Sequence, residues 1–201
     1  MAFFKSNGSL LILFLLGFGF WSCKPTTISE DLPANWQELI VFDNYLVPDV
    51  DSVNTLIKNE KFAFQLFNDF KNMDSLSYFN KYIELDEAID VYAGQSYKYL
   101  SFFDDKIKAN RGHCFKQIGK FIKQDNSFDW QKASIQKVTY DVFDIENNKL
   151  FVKVIIDIDC NGKSFELKAP DCVYTYNGLK TIQPVHWQNQ SCLTGYKRKI
   201  K

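Results

Sequence analysis

The segment from Leu150 to Pro170, LFVKVIIDIDCNGKSFELKAP, constrains the fold more than any other stretch. Residues 150–160 alternate in polarity and place Val152, Val154, Ile156 and Ile158 on one face of a strand. Asn161-Gly162 then supplies the residues that a two-residue type I′ turn needs, because both central positions take positive φ. Closing that turn pairs Cys160 with Lys163. It sets Ile158 opposite Phe165, Ile156 opposite Leu167 and Val154 opposite Ala169. All three apolar pairs fall on one face, so turn and pattern specify the same register.

The neighbouring segments extend this hairpin into a meander. Residues 135–144 read as a preceding strand. A direct closure through Asn147-Asn148 opposes Asp141 to Val154, whereas a shift of one residue opposes Val142 to Val154 and Tyr140 to Ile156, so a bulged loop is predicted there. A second Asn-Gly pair, Asn177-Gly178, is predicted to close Val173 onto Ile182 and Tyr174 onto Thr181. Pro170 interrupts the middle strand and marks an edge, a bend or a bulge.

Upstream, the apolar period is helical. Asp49 or Asp51 caps a helix predicted to run to about Asn72, with Val53, Leu56, Ile57, Phe64, Phe67 and Phe70 forming a broad stripe. Asp86 caps a second helix, whose stripe contains Ile89, Tyr92, Tyr99, Phe103 and Ile107. Asn110-Arg111-Gly112 is read as its exit, followed by a shorter helix from about His113 to Lys123. Helices followed by a strand meander give an α+β class, with N-terminal helices packed on a curved C-terminal antiparallel sheet.

The N-terminus carries a different signal. Lys5 is the only charge in residues 1–22, and residues 10–21 read LLILFLLGFGFW. Twelve residues make about 18 Å of helix, against the roughly 20 residues that span a bilayer. A short basic start, an apolar run and a small residue before Cys23 fit an export signal. Phe20-Trp21-Ser22-Cys23 resembles a bacterial lipobox, with Phe20 where Leu is usual and Trp21 bulkier than the usual small residue. The resemblance implies diacylation of Cys23, a palmitate-type lipoprotein at the bacterial cell envelope, and membrane attachment through N-terminal acyl chains. Cleavage without lipidation is the alternative. Lys24 is not the aspartate that retains some lipoproteins at the inner membrane, which favours the outer membrane.

The expected organisation is a signal peptide over 1–22, a lipidated tether over 23–35, one domain over 36–192 and a basic tail over 193–201. Without residues 1–22 the chain holds 23 basic and 24 acidic residues, so nothing demands a nucleic-acid partner. Cys114, Cys160, Cys172 and Cys192 remain. In an oxidising envelope they allow two disulfides in three pairings. Their spacings of 46, 12 and 20 residues contain no CxxC, and no metal or cofactor is expected.

The early helix SVNTLIKNEKFAFQLFNDFKN and the meander ending in GLKTIQPVHW are similar to the nuclear-transport-factor-like, or SnoaL-like, cone. The resemblance covers about residues 50–188 and rests on element order. It implies a curved sheet wrapped around helices, with a pocket at the open end that different members use for catalysis, ligand binding or protein interaction. His186, Tyr140 and Tyr99 are the candidates to line it.

Catalytic signatures are sparse. The two histidines, His113 and His186, stand at predicted element ends, and there is no GxSxG, P-loop or HExxH. The hairpin register opposes Asp157 to Glu166, a pair able to share protons or hold a cation if enclosed. Lys153 and Lys168 on the same face make a solvated strand face the simpler reading. The leading expectation is a non-catalytic envelope lipoprotein that binds a small ligand or a protein partner through the cone pocket or the sheet face. A SnoaL-like hydrolase or isomerase and an immunity-type protein that neutralises a toxin are the alternatives. The Lys197–Lys201 tail adds basic charge that could meet anionic lipid.

Overall fold

The computed structural model describes residues 32–44, 50–146, 149–188 and 190. The chain divides into two compact units, 1–31 and 32–201. The fold described is that of the second unit. The signal peptide, Cys23, Asp49, Cys192 and the basic tail lie outside the described residues.

The element order is β1 (Ile40–Asn44), α1 (Val50–Lys58), α2 (Phe62–Lys71), α3 (Ser75–Phe79), α4 (Leu85–Val91) and α5 (Tyr97–Gln124). The strands β2 (Ala133–Glu146), β3 (Lys149–Cys160), β4 (Lys163–Thr175), β5 (Gly178–Thr181) and β6 (His186–Trp187) follow. Strands β1 to β5 lie side by side in chain order, and β6 pairs with β4. The fold is α+β, helices first and an antiparallel meander after them. One strand was not foreseen: β1 runs parallel to β2, with Ile40 beside Val138 and Phe42 beside Tyr140. It is five residues long and its partner lies about a hundred residues away, so no local turn announces it.

The central hairpin forms as its sequence specifies. Cys160 pairs with Lys163, Ile158 with Phe165, Ile156 with Leu167 and Val154 with Ala169. Asn161 and Gly162 both take positive φ, 56° and 78°. Ile156, Ile158, Leu167 and Ala169 are fully buried, which defines the inner face of the sheet. Pro170 sits in a bulge: the β3–β4 register shifts between Val152 and Val154, so Pro170 and Asp171 together oppose Lys153.

Two register predictions are corrected. Two β2–β3 bulges lie inside the strand, at Gln136 and Phe143, rather than in the loop. The shift runs the other way, setting Tyr140 against Val154 and Val142 against Val152. At the second Asn-Gly pair, Thr175 meets Gly178, Tyr174 meets Leu179 and Cys172 meets Thr181. Here Gly178 alone takes positive φ, at 95°, and sits at the start of β5 rather than in the turn. The turn residues are therefore Tyr176-Asn177 rather than Asn177-Gly178, which slips the pairing by two residues from the predicted one.

The helices also differ in their breaks. The predicted helix to Asn72 is two helices, interrupted at Asn59–Lys61, because the Glu60 side chain turns back to accept from the Phe62 N–H at 2.9 Å. Glu84, not Asp86, caps α4, and its N–H donates to the Glu87 carboxylate at 2.9 Å. Helix α5 runs unbroken through Gly112. A Cβ there would stand 3.6 Å from the Phe79 ring, an ordinary contact distance, so the glycine is neither a helix exit nor required by the packing of α3 on α5. Arg111 reinforces this contact, its guanidinium 4.9 Å from the Phe79 ring centre.

Aromatic residues from both layers make the core. Phe70 of α2 stacks with Phe115 of α5 at 5.1 Å and with Trp130 at 5.9 Å. Phe128, Phe165 and Trp187 close the far end of the sheet with centroids 4.7–5.7 Å apart. Each buried ring contributes about 2–3 kcal/mol of transfer free energy, plus roughly 1 kcal/mol where the ring geometry is edge-on or offset.

Candidate functional site

The α1–α2 break brings Glu60 over the inner face of the sheet. Beneath it, Tyr140 of β2 is fully buried and its hydroxyl donates to the Glu60 carbonyl at 3.4 Å. Tyr174 follows Cys172 by two residues on β4 and therefore shares its inward face. The Tyr174 hydroxyl is buried and makes no hydrogen bond of normal geometry. It lies close enough to the Glu60 carboxyl to favour its charged form.

Burial dominates the electrostatics. It raises the Glu60 pKa, and the Phe62 N–H and the Tyr174 hydroxyl offset this only in part. The Tyr140 and Tyr174 hydroxyls are both pushed up by burial, with the Glu60 charge adding to it. The neighbouring Cys172 thiol is likewise pushed up by burial, which makes it a poor nucleophile. The arrangement is a carboxyl held at a helix start, flanked by two protonated phenols. It can accept a hydrogen bond or a positive charge, and it can donate from Tyr174.

The predicted residues scatter around this cluster. Tyr140 is in it. Tyr99 is 56% exposed on α5, whose rings turned toward the domain are Phe103, Phe115 and Phe121. His186 stands on β6 beside Lys168 of β4, where partial burial and then the Lys168 charge lower its pKa. His113 is exposed in mid-helix.

Asp157 does face Glu166, as the register requires. Both lie on the outer face, and Glu166 pairs with Lys168 at 2.8 Å with side chains 30% and 25% exposed. Lys153 pairs with Asp141 on the same face. This is a solvated ladder of alternating charge, not an enclosed acid pair. No group of three or more metal-ligating side chains occurs among the described residues.

The cysteine expectation is corrected as well. Cys160 and Cys172 are free, buried thiols. They sit eight residues apart along the β3 register, about 26 Å, far beyond disulfide reach. Cys160 is instead used locally, accepting from the Asp129 N–H at 3.2 Å. Cys114 is fully buried on α5 and is not a free thiol.

A second buried polar group has a structural role. The Tyr78 and Tyr82 hydroxyls bond each other at 2.6 Å, and buried Asp69 faces Lys81 at 3.5 Å. Glu87, 1% exposed, accepts from the Thr175 hydroxyl at 2.8 Å and ties α4 to β4.

Glu60 was missed in the sequence because it sits between apolar positions of what reads as one continuous helix. Its only signal is its place two residues before Phe62, where a carboxylate can cap a new helix. No protein family, curated protein or solved structure matches the chain.

Proposed function

We propose that the chain is a lipid-anchored protein of the bacterial envelope whose domain binds a small polar ligand at the Glu60–Tyr174 cluster, without chemistry there. The observation that carries the ligand site is the Tyr174 hydroxyl, buried and without a hydrogen bond of normal geometry beside a carboxyl whose burial is costly. Such a group is expensive unless something completes it. A hydroxyl or ammonium group on a ligand would satisfy both side chains. The position between helices and the inner sheet face accords with the pocket that the cone resemblance implies. The lipobox at Cys23 supports the anchor. An envelope location also leaves Cys114 and Cys192 as the one remaining cysteine pair for a bridge.

Two experiments test this. Native mass spectrometry of protein purified from its host should find a bound small molecule of constant mass, absent from Glu60→Gln. Finding the same molecule on the variant would remove the site from consideration. Cys23→Ser should release the protein from membranes or leave it unprocessed, and normal lipid labelling of that variant would contradict the anchor. The raised Glu60 pKa also favours a second reading, an enzyme using Glu60 as acid and base. A reproducible turnover abolished in Glu60→Gln would establish it.

A further inference from the structure

The solvent face of α5 carries a charge imbalance that packing does not require. The helix holds seven basic side chains and two acidic ones, within a chain whose formal net charge is +0. Asp104 is buried and bonded to Lys108 at 2.6 Å, so Asp105 is the one exposed acid of the helix. Helical periodicity places exposed Lys98, Lys106, Lys116, Lys120 and Lys123 in one stripe about 120° wide. Tyr99 and Phe102 lie in the same stripe and are 56% and 59% exposed. The Lys106 ammonium stands 5.1 Å from the centre of the Phe102 ring. The opposite side of the helix, with Leu100, Ile107, Phe115 and Ile118, is buried in the domain.

Two facts choose the occupant of this face. Protein interfaces are depleted in lysine, whereas exposed rings among lysines suit the headgroup boundary of an anionic membrane. The twelve residues 24–35 span at most about 40 Å, more than twice the roughly 16 Å radius of gyration of a domain this size. A domain tethered at Cys23 can therefore lay any face on the bilayer that holds it. We propose that α5 lies along anionic lipid headgroups, with Tyr99 and Phe102 at the headgroup–acyl boundary and the lysines on the surface. The inference rests on the lipid-anchor reading.

The test uses the full acylated chain in vesicles of phosphatidylethanolamine and phosphatidylglycerol at 3:1, against phosphatidylcholine alone. The reporter is Tyr99→Trp, with brominated lipid as quencher. Quenching of the added indole is expected in the anionic vesicles and not in the neutral ones. Each lysine is worth about five-fold in affinity at such a surface, so Lys116→Glu, Lys120→Glu and Lys123→Glu together should weaken docking by at least about 100-fold, the loss expected from removing three positive charges alone. Flotation with the vesicles should be unchanged, because the acyl chains hold the protein. Indole equally open to acrylamide in both vesicle types would overturn the proposal, as would quenching that survives the triple reversal. Capture of an acidic protein or a nucleic acid without lipid quenching would also overturn it. Failure to float refutes the anchor instead. The α5 face is then tested by co-sedimentation of the wild type and the triple variant with phosphatidylglycerol vesicles, where equal sedimentation overturns it.

Discussion

Carboxylates occupy both sides of the sheet, and they behave as opposites. On the outer face, Asp157 and Glu166 oppose each other directly, yet Lys168 stands 2.8 Å from Glu166 and water reaches both side chains. Screened pairs of this kind contribute about 0–1 kcal/mol. On the inner side, Glu60 has no cation among its partners, and burial raises its pKa. Two half-buried like charges beside a lysine matter less than one half-buried charge without a cation. The missing counter-charge, more than spacing between acids, marks the candidate site.

The comparison is broken or sharpened most strongly on β2, where adjacent residues face opposite ways. Tyr140→Ala should cost about 3–5 kcal/mol in denaturant unfolding, since it empties a fully buried ring position. Thr139→Ala, next to it on the outer face, should stay within about 0.5 kcal/mol. Equal costs would dissolve the distinction between the faces. Next in size, Tyr174→Phe removes a buried hydroxyl without a hydrogen bond of normal geometry. In ligand-free protein at pH 4, where Glu60 has no charge for it to favour, it should stabilise by about 1 kcal/mol. A loss of that amount would show the hydroxyl to be satisfied within the fold. The smallest effect belongs to the outer pair. Asp157→Asn should shift stability by less than about 0.5 kcal/mol at any pH from 5 to 8, measured by thermal unfolding.

Most of the sheet was legible because local and global signals agree at Asn161-Gly162. The same dipeptide misled at Asn177-Gly178. There Thr175 bonds the Gly178 carbonyl and Glu87, and Tyr176 bonds Asp86, so contacts from α4 favour the tighter pairing. The hydrogen bond to Asp86 raises the Tyr176 pKa to about 12. Strand β1 was not legible, because parallel pairing across about a hundred residues leaves no local trace. Gly112 illustrates the converse: a residue that reads as a helix stop lies inside the continuous helix α5, beside Phe79. Of the candidate cluster, Tyr140 was among the residues that the cone resemblance offered for a pocket. Glu60 was not, since its meaning depends on a helix break that its own side chain helps to make. Tyr99 was misplaced because a broad aromatic stripe was assigned wholly to the interior, whereas part of it faces water.

The pH dependence of stability tests the inner carboxyl most directly. Burial raises the folded-state pKa of Glu60 above its unfolded value, so the folded protein holds that proton more tightly. The stability this contributes is complete below the unfolded value of 4.5 and is lost as pH rises through the raised folded one. Glu60→Gln keeps an acceptor for the Phe62 N–H and has no charge to bury. Wild type and Glu60→Gln should therefore be compared by thermal unfolding between pH 4 and pH 8, as ligand-free protein. The Tm of the variant should match that of wild type near pH 4 and exceed it by about 2 °C at pH 8. A variant less stable than wild type at pH 8, with the two converging toward pH 4, would contradict the account. It would show that the Glu60 carboxylate is stabilised where it sits.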